Sequence, residues 1–328
     1  MFNSSFAREM TDYLELRTAV LSASSASNDR RVLLLLDQYL VLSGFQGKEL
    51  TEDILSAWSK TLSGKSKTVK EKLAVVRGFG KYLNTLGHQS FLPTLPKVKS
   101  DYIPYIFSDE EIVSIFHYAD NLTPQNPRSC SSFFQLKIPM ALRILYSCGT
   151  RLQETMSLQR KDVDFKNRTL FLKKTKFSKE RVIPVHESLI AVMERYCLTL
   201  GIMHEPEAFL FPGRKEGSHY TTRQMDSWFS EILKLADIDQ RERDCHERGA
   251  CLHCFRHLFV LKSMQQLEAA GHSVDMNDLL LPTYLGHECL LDTDKYMRFS
   301  GGQVAGAIEA FESFTSGLIP DVEVPYEE

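Results

Sequence analysis

Gly149-Thr150-Arg151-Leu152-Gln153-Glu154 and, much later, His253-Cys254-Phe255-Arg256-His257 are the two stretches on which the reading of this chain turns. The second suits the opening of a helix, where spacings of three and four residues gather His253, Arg256 and His257 on one side of a turn. Between the two stretches, Val163–Phe165, Thr169–Leu172 and Arg181–Val185 read as short strands. Lys166-Asn167-Arg168 turns between the first two, and a longer polar turn, Lys174 to Lys179, precedes the third. Segments 131–148, 187–200, 222–236 and 254–270 have the length and spacing of helices. The predicted fold class is therefore mainly α (α+β), with a small antiparallel β-sheet set among helices.

Working outward, residues 1–95 read as a separate helical domain. Leu33, Leu36, Tyr39 and Leu40 recur at helical spacing, and Thr51 with Glu52 and Asp53 forms an N-cap and acidic first turn ahead of Ile54, Leu55 and Trp58. The polar turn Ser63 to Thr68 feeds a helix that turns Leu73, Val76, Phe79, Tyr82 and Leu83 inward. Pro93, Pro96 and Pro104 mark a linker, with residues 96–104 as its span. Ser108-Asp109-Glu110-Glu111 then caps the first helix of a second domain, residues 105–300, and residues 301–328 form a C-terminal helix and tail.

The formal net charge of -3 does not favour a nucleic-acid partner, but the charge is unevenly spread. Residues 1–100 carry 14 Lys and Arg against 9 Asp and Glu, which leaves 25 against 33 for the rest of the 328. Only charge that faces DNA governs counterion release. Lys65, Lys67, Lys70 and Arg77 are the candidate phosphate-tracking residues of the positive part, weighed against an ordinary solvated face. The longest apolar run, Val32 to Leu42, is too short for a bilayer and contains Asp37. No signal peptide is evident near Met1, and seven cysteines fit reduced thiols, so a cytoplasmic protein with no membrane partner is expected.

The motifs carry a chemistry. Breaking a phosphodiester without a metal needs a nucleophile, cationic donors for the non-bridging oxygens and an acid for the leaving 5′ oxygen. Two arginines are a natural clamp, because guanidinium is planar, always charged and binds phosphate in a bidentate way. Tyrosine can be the nucleophile, since its phosphodiester keeps the bond energy for rejoining. The sequence supplies Arg151 and Glu154, then Lys176 in the polar turn, then His253, Arg256 and His257, then Leu285-Gly286-His287, then Thr293 and Tyr296. Singly, each has a bland alternative: a surface ion pair for Arg151 and Glu154, a buried ring for Tyr296. Lys173, Lys174 and Lys179 compete with Lys176. Order and spacing together outweigh those alternatives.

In these motifs the chain resembles the tyrosine recombinase (phage integrase) family over roughly residues 105–300. The N-terminal part resembles the family's helical core-binding domain in size, position and helix content. The resemblance implies a phosphate clamp of Arg151 and Arg256, with Lys176 as general acid. It implies that His253 and His287 bond the scissile phosphate or assist proton transfer, and that Tyr296 attacks to form a 3′-phosphotyrosyl link. Glu154 and His257 would orient the arginines. It further implies double-stranded DNA as partner, a homo-oligomer (a tetramer on paired sites), accessory recombination proteins as further partners, and no cofactor. Integration or excision of a mobile element is favoured over chromosome-dimer resolution, because the Cys245 to Cys254 stretch departs from the family's compact core.

Three competing readings stand beside this one. A type IB topoisomerase resembles the family in its Arg/Lys/Arg/His/Tyr set. A catalytically silent DNA-binding regulator would keep the fold alone. A zinc module would use Cys245, His246, Cys251 and Cys254, with Cys289 as a further ligand, but no second C-x-x-C pair exists and no metal is expected. The stretch Gln265 to Asp278 reads as a lengthened connection, and Val304, Ile308, Phe311 and Phe314 give the C-terminal segment an apolar stripe that could dock in cis or on a neighbouring protomer.

Overall fold

The computed structural model describes residues 2–98, 104–123, 133–173, 180–238, 249–269 and 281–286. The chain divides into two compact units, Met1–Asp101 and Tyr102–Glu328.

The first unit is helical. Its helices are α1 (Ala7–Val20), α2 (Ala23–Leu42), α3 (Glu52–Thr61) and α4 (Ser66–Thr85). The α3 cap forms as the sequence predicts: Thr51 Oγ1 accepts from the backbone N–H of Ile54 at 3.4 Å. Leu33, Leu36, Leu40, Leu55, Trp58, Val76, Phe79 and Leu83 share one core. Asp37, inside the apolar run of α2, is buried and accepts the backbone N–H of Asn3 at 2.9 Å and of Ser4 at 2.9 Å. It thus fastens the chain's start to α2 through charge-assisted bonds. No helix among the described residues is long and apolar enough to cross a membrane.

The second unit is built from α5 (Asp109–Asp120), α6 (Phe134–Cys148), the short α7 (Leu152–Met156), α8 (Glu187–Thr199), α9 (Thr222–Leu235) and α10 (His253–Ala269). Ser108 and Glu111 form the capping box of α5, with Glu111 N–H to Ser108 Oγ at 3.2 Å and Ser108 N–H to Glu111 Oε2 at 2.8 Å. Strands β1 (Val163–Asp164), β2 (Thr169–Leu172) and β3 (Arg181–Pro184) form an antiparallel sheet in that order. Leu170 pairs with Val163 on one side and Ile183 on the other, and all three side chains are buried. The class is mainly α with a small antiparallel sheet.

The first two turns of α10 are buried on nearly every side from Cys254 to Val260, which fits a central element. Cys254, Phe255 and Leu258 join the main core, and Phe255 lies 5.3 Å from Phe107 and 5.6 Å from Phe229 between ring centres. Val260 and Met264 pack instead against Leu281 and Leu285 of the helical segment 281–285. The motif residues of α10 therefore sit where α6, α10 and that segment meet.

Candidate active site

Helix α6 ends at Gly149 in the left-handed region, φ 56°. That reversal lets the chain turn into α7, whose N-cap is Arg151. Thr150 and Thr155 close the turn from inside through hydroxyls 2.7 Å apart, both buried. Glu154 reaches back: its Oε2 accepts the Arg151 backbone N–H at 2.9 Å and its Oε1 accepts Arg151 Nη1 at 2.8 Å. The Arg151 side chain keeps 28% of its surface exposed, so its guanidinium is both oriented and reachable.

Arg256 comes to the same turn from α10. Its Nη1 donates to the carbonyl of Gly149 at 2.7 Å and its Nη2 to the carbonyl of Leu285 at 2.9 Å. One buried guanidinium thereby joins the α6–α7 turn, α10 and the segment that leads to Gly286. His253 and His257, at the start of the same helix, stand edge to face with ring centres 4.9 Å apart. His253 is exposed and His257 buried. Burial, then the charges of His253 and Arg256, push the His257 imidazole down from 6.5 to about 3, so it is neutral at physiological pH.

The sequence reading missed Arg181. Placed at the start of β3, it donates Nη1 to Glu154 Oε1 at 3.2 Å, Nη2 to Glu154 Oε2 at 3.0 Å and Nε to the carbonyl of Tyr284 at 2.8 Å. Burial pushes the Glu154 carboxyl up, but the hydrogen bonds and charge of Arg181, and then those of Arg151, outweigh it and hold the carboxyl below its usual range. The signal available in the sequence was an arginine in a short apolar strand, a position that is rarely cationic without a partner.

Lys173, one of the lysines that competed with Lys176, is paired with the buried carboxylate of Asp162. Lys176 itself, His287 and Tyr296 lie outside the described residues, as do residues 301–328, most of the Gln265 to Asp278 connection, and Cys245, His246 and Cys289. The Sγ atoms of Cys251 and Cys254 are 3.5 Å apart, and among the described residues no group of three or more metal-ligating side chains converges. In the first unit, Lys65 and Lys67 are exposed at the start of α4, with Lys70 half-buried one turn on. Arg77 donates Nη1 to the carbonyl of Pro93 at 2.7 Å, so at least part of its guanidinium ties the following segment to α4.

With this geometry established, residues 106–299 match the sequence profile of the Phage integrase family, more than half of the chain. The chain belongs to the phage integrase family. Other members agree over most of its length. The tyrosine recombinase XerC of Staphylococcus saprophyticus is 28% identical over 276 residues, 83% of this chain and 83% of that protein. The fold is also that of the XerH site-specific recombinase, whose post-cleavage complex with palindromic difH substrate superposes with a TM-score of 0.67 at 18% identity, over 88% of this chain and 80% of that one. The Tn1549 transposon integrase, solved with transposon right end DNA, matches with a TM-score of 0.63 at 17% identity, over 93% and 98%. As a phage integrase family member, the chain brings Arg151, Glu154, His253, Arg256 and His257 to one region, while Lys65, Lys67, Lys70 and Arg77 belong to the other unit.

Proposed function

We propose that this chain is a site-specific recombinase that breaks and rejoins double-stranded DNA through a covalent link between Tyr296 and a 3′ phosphate. The observation that carries the reading is the bond from Arg256 to the carbonyl of Gly149, which brings two motifs 107 residues apart to one turn beside Arg151. Arg151 and Arg256 hold the non-bridging oxygens and offset the charge that builds as phosphorus becomes five-coordinate. The Tyr296 oxygen attacks phosphorus, the bond to the 5′ oxygen breaks, and Lys176 gives that oxygen its proton. Attack by a 5′ hydroxyl on the phosphotyrosine reverses the step and frees the tyrosine. His253 and His287 contribute hydrogen bonds or proton transfer at the phosphate, and buried His257 stays neutral at physiological pH.

Around this centre, residues 1–95 serve as the DNA-binding (core-binding) domain, with Lys65, Lys67 and Lys70 on phosphates and Arg77 at the edge of that face. Residues 105–300 are the catalytic domain, and the protein works as a tetramer assembled on paired sites. Integration or excision of a mobile element is the biological role we favour, on the departure of the Cys245 to Cys254 stretch from the family's compact core. The test uses nicked duplexes with randomised cores, from which wild-type protein captures those it can attach to. A protein–DNA band that survives denaturation with wild type, and is absent with Tyr296→Phe, is the expected result. Wild type that binds duplexes but never becomes attached would overturn the reading.

A further inference from the structure

Arg181 divides one guanidinium between two supports. Nη1 and Nη2 take both oxygens of Glu154, and Nε takes the carbonyl of Tyr284, 103 residues away in sequence. Glu154 is buried, and Arg151 and Arg181 share it, each oxygen accepting one bond from each arginine. Tyr284 precedes Leu285, whose carbonyl accepts from Arg256. Gly286, at φ 66°, passes so close that a β-carbon there would lie 3.1 Å from Arg181 Nη1. The residue after Gly286 is His287. One side chain thus touches the carboxylate that supports Arg151 and both sequence neighbours of Leu285, whose carbonyl supports Arg256.

We infer that Arg181 is the positioning residue of this site: through Glu154 it sets Arg151, and through the Tyr284 carbonyl it sets the turn that carries Leu285 and Gly286. This rests on the recombinase reading above. Glu154 has two charged neighbours that face it, Arg151 from its own turn and Arg181 from β3. With Arg181 gone, a buried carboxylate would keep one cation only, and Arg151 would be drawn inward to satisfy it, away from phosphate. A lysine cannot replace Arg181 fully, because one ammonium cannot supply a planar fork to Glu154 and a third donor to Tyr284.

The experiment compares Arg181→Gln, Arg181→Lys, Glu154→Gln and the double variant Arg181→Gln/Glu154→Gln with wild type. The rate of covalent attachment is measured on a captured nicked duplex at saturating protein, and duplex affinity is measured separately. Arg181→Gln should slow attachment by about 10–100-fold while affinity changes little, the size of effect expected when an orienting group is lost. The double variant should be no slower than the slower single one, because both act through one unit. The acid limb of the rate profile should move to higher pH in Arg181→Gln, since Glu154 then loses the hydrogen bonds and charge that lower it most, and should vanish in the double variant. Should Arg181→Gln fail to melt cooperatively, Arg181→Lys carries the test, with a smaller slowing in the same direction. Attachment at the wild-type rate in a folded Arg181 variant, or multiplicative effects with an unmoved acid limb, overturns the inference alone. Wild type that attaches to no duplex overturns the recombinase reading, and with it this one.

Discussion

Gly149 and Phe259 approach so closely that a β-carbon on Gly149 would lie 2.4 Å from Phe259 Cδ1. The same glycine holds φ 56°, where an L side chain is strained. The motif glycine is therefore demanded twice: by the reversal that delivers Arg151, and by the packing of α10 against the end of α6. Gly149→Ala should destabilise the second unit by about 2–4 kcal/mol, combining backbone strain with overpacking. Denaturant unfolding of the full chain measures it. Adding Phe259→Ala should relieve the clash but not the strain, so full recovery in the double variant would contradict this account.

The two arginines proposed to clamp the phosphate should separate in what they cost. Arg151 is partly exposed, and without it Glu154 still has Arg181. Arg151→Ala should abolish covalent attachment while lowering stability by only about 1 kcal/mol. Arg256 is 1% exposed and serves two carbonyls. Arg256→Ala should abolish attachment and also cost about 2–5 kcal/mol, because each buried carbonyl left without a donor costs about 1–3 kcal/mol. Melting curves beside attachment assays distinguish the two; equal stability losses would count against the division of roles.

His257 sets a pH dependence whose sign can be worked out. In the unfolded chain its imidazole takes a proton below about 6.5; in the folded chain it does so only near 3. Between those values the unfolded state binds more protons, so stability falls as pH is lowered through the window, by up to about 1.4 kcal/mol per pH unit. Glu154 adds its own acid loss only below its ordinary 4.5, where the unfolded carboxyl takes a proton and the folded one resists. Unfolding free energies from pH 7 to pH 5 leave out the Glu154 contribution. The slope over that range should flatten in His257→Asn, and an unchanged slope would assign it to other groups.

The parts of this molecule governed by neighbours in sequence were legible from sequence. Thr51 and Ser108 cap the helices they precede because a cap reaches only three residues on. The strands declared themselves as short apolar runs between polar turns, and β2 and β3 fall within a residue of their expected bounds. Helix α6 begins at Phe134, three residues later than its periodicity suggested. Contacts across the fold were not legible in the same way. Arg181 meets Glu154 and Tyr284 at separations of 27 and 103 residues, which no periodicity reports. Lys173 looked interchangeable with its neighbours until its pairing with Asp162 set it apart. Arg77 was read by its charge, whereas its Nη1 is given to a backbone carbonyl. Charge is a property of composition, and what a charge faces is a property of packing.

Two tyrosines compete for the role of nucleophile, and the geometry around one of them argues for the other. Tyr284 stands beside the arginine cluster through its carbonyl bond to Arg181. Its ring, however, stacks on Phe259 at 5.4 Å, and its hydroxyl is hydrogen-bonded to the buried thiol of Cys148. Burial pushes that phenol further up, above a range already too high for easy loss of its proton. An attacking oxygen needs the opposite environment: open to DNA and surrounded by cations. Tyr284→Phe should therefore still form the denaturation-resistant adduct, at a stability loss of about 1 kcal/mol from the missing bond to Cys148. Tyr296→Phe should form none at any protein concentration. Peptide mapping of digested wild-type adduct provides the direct check, since the modified peptide must contain Tyr296. An adduct that maps to residues 281–286 would move the nucleophile to Tyr284 and undo the assignment of the chemistry, while leaving the family and the fold as they stand.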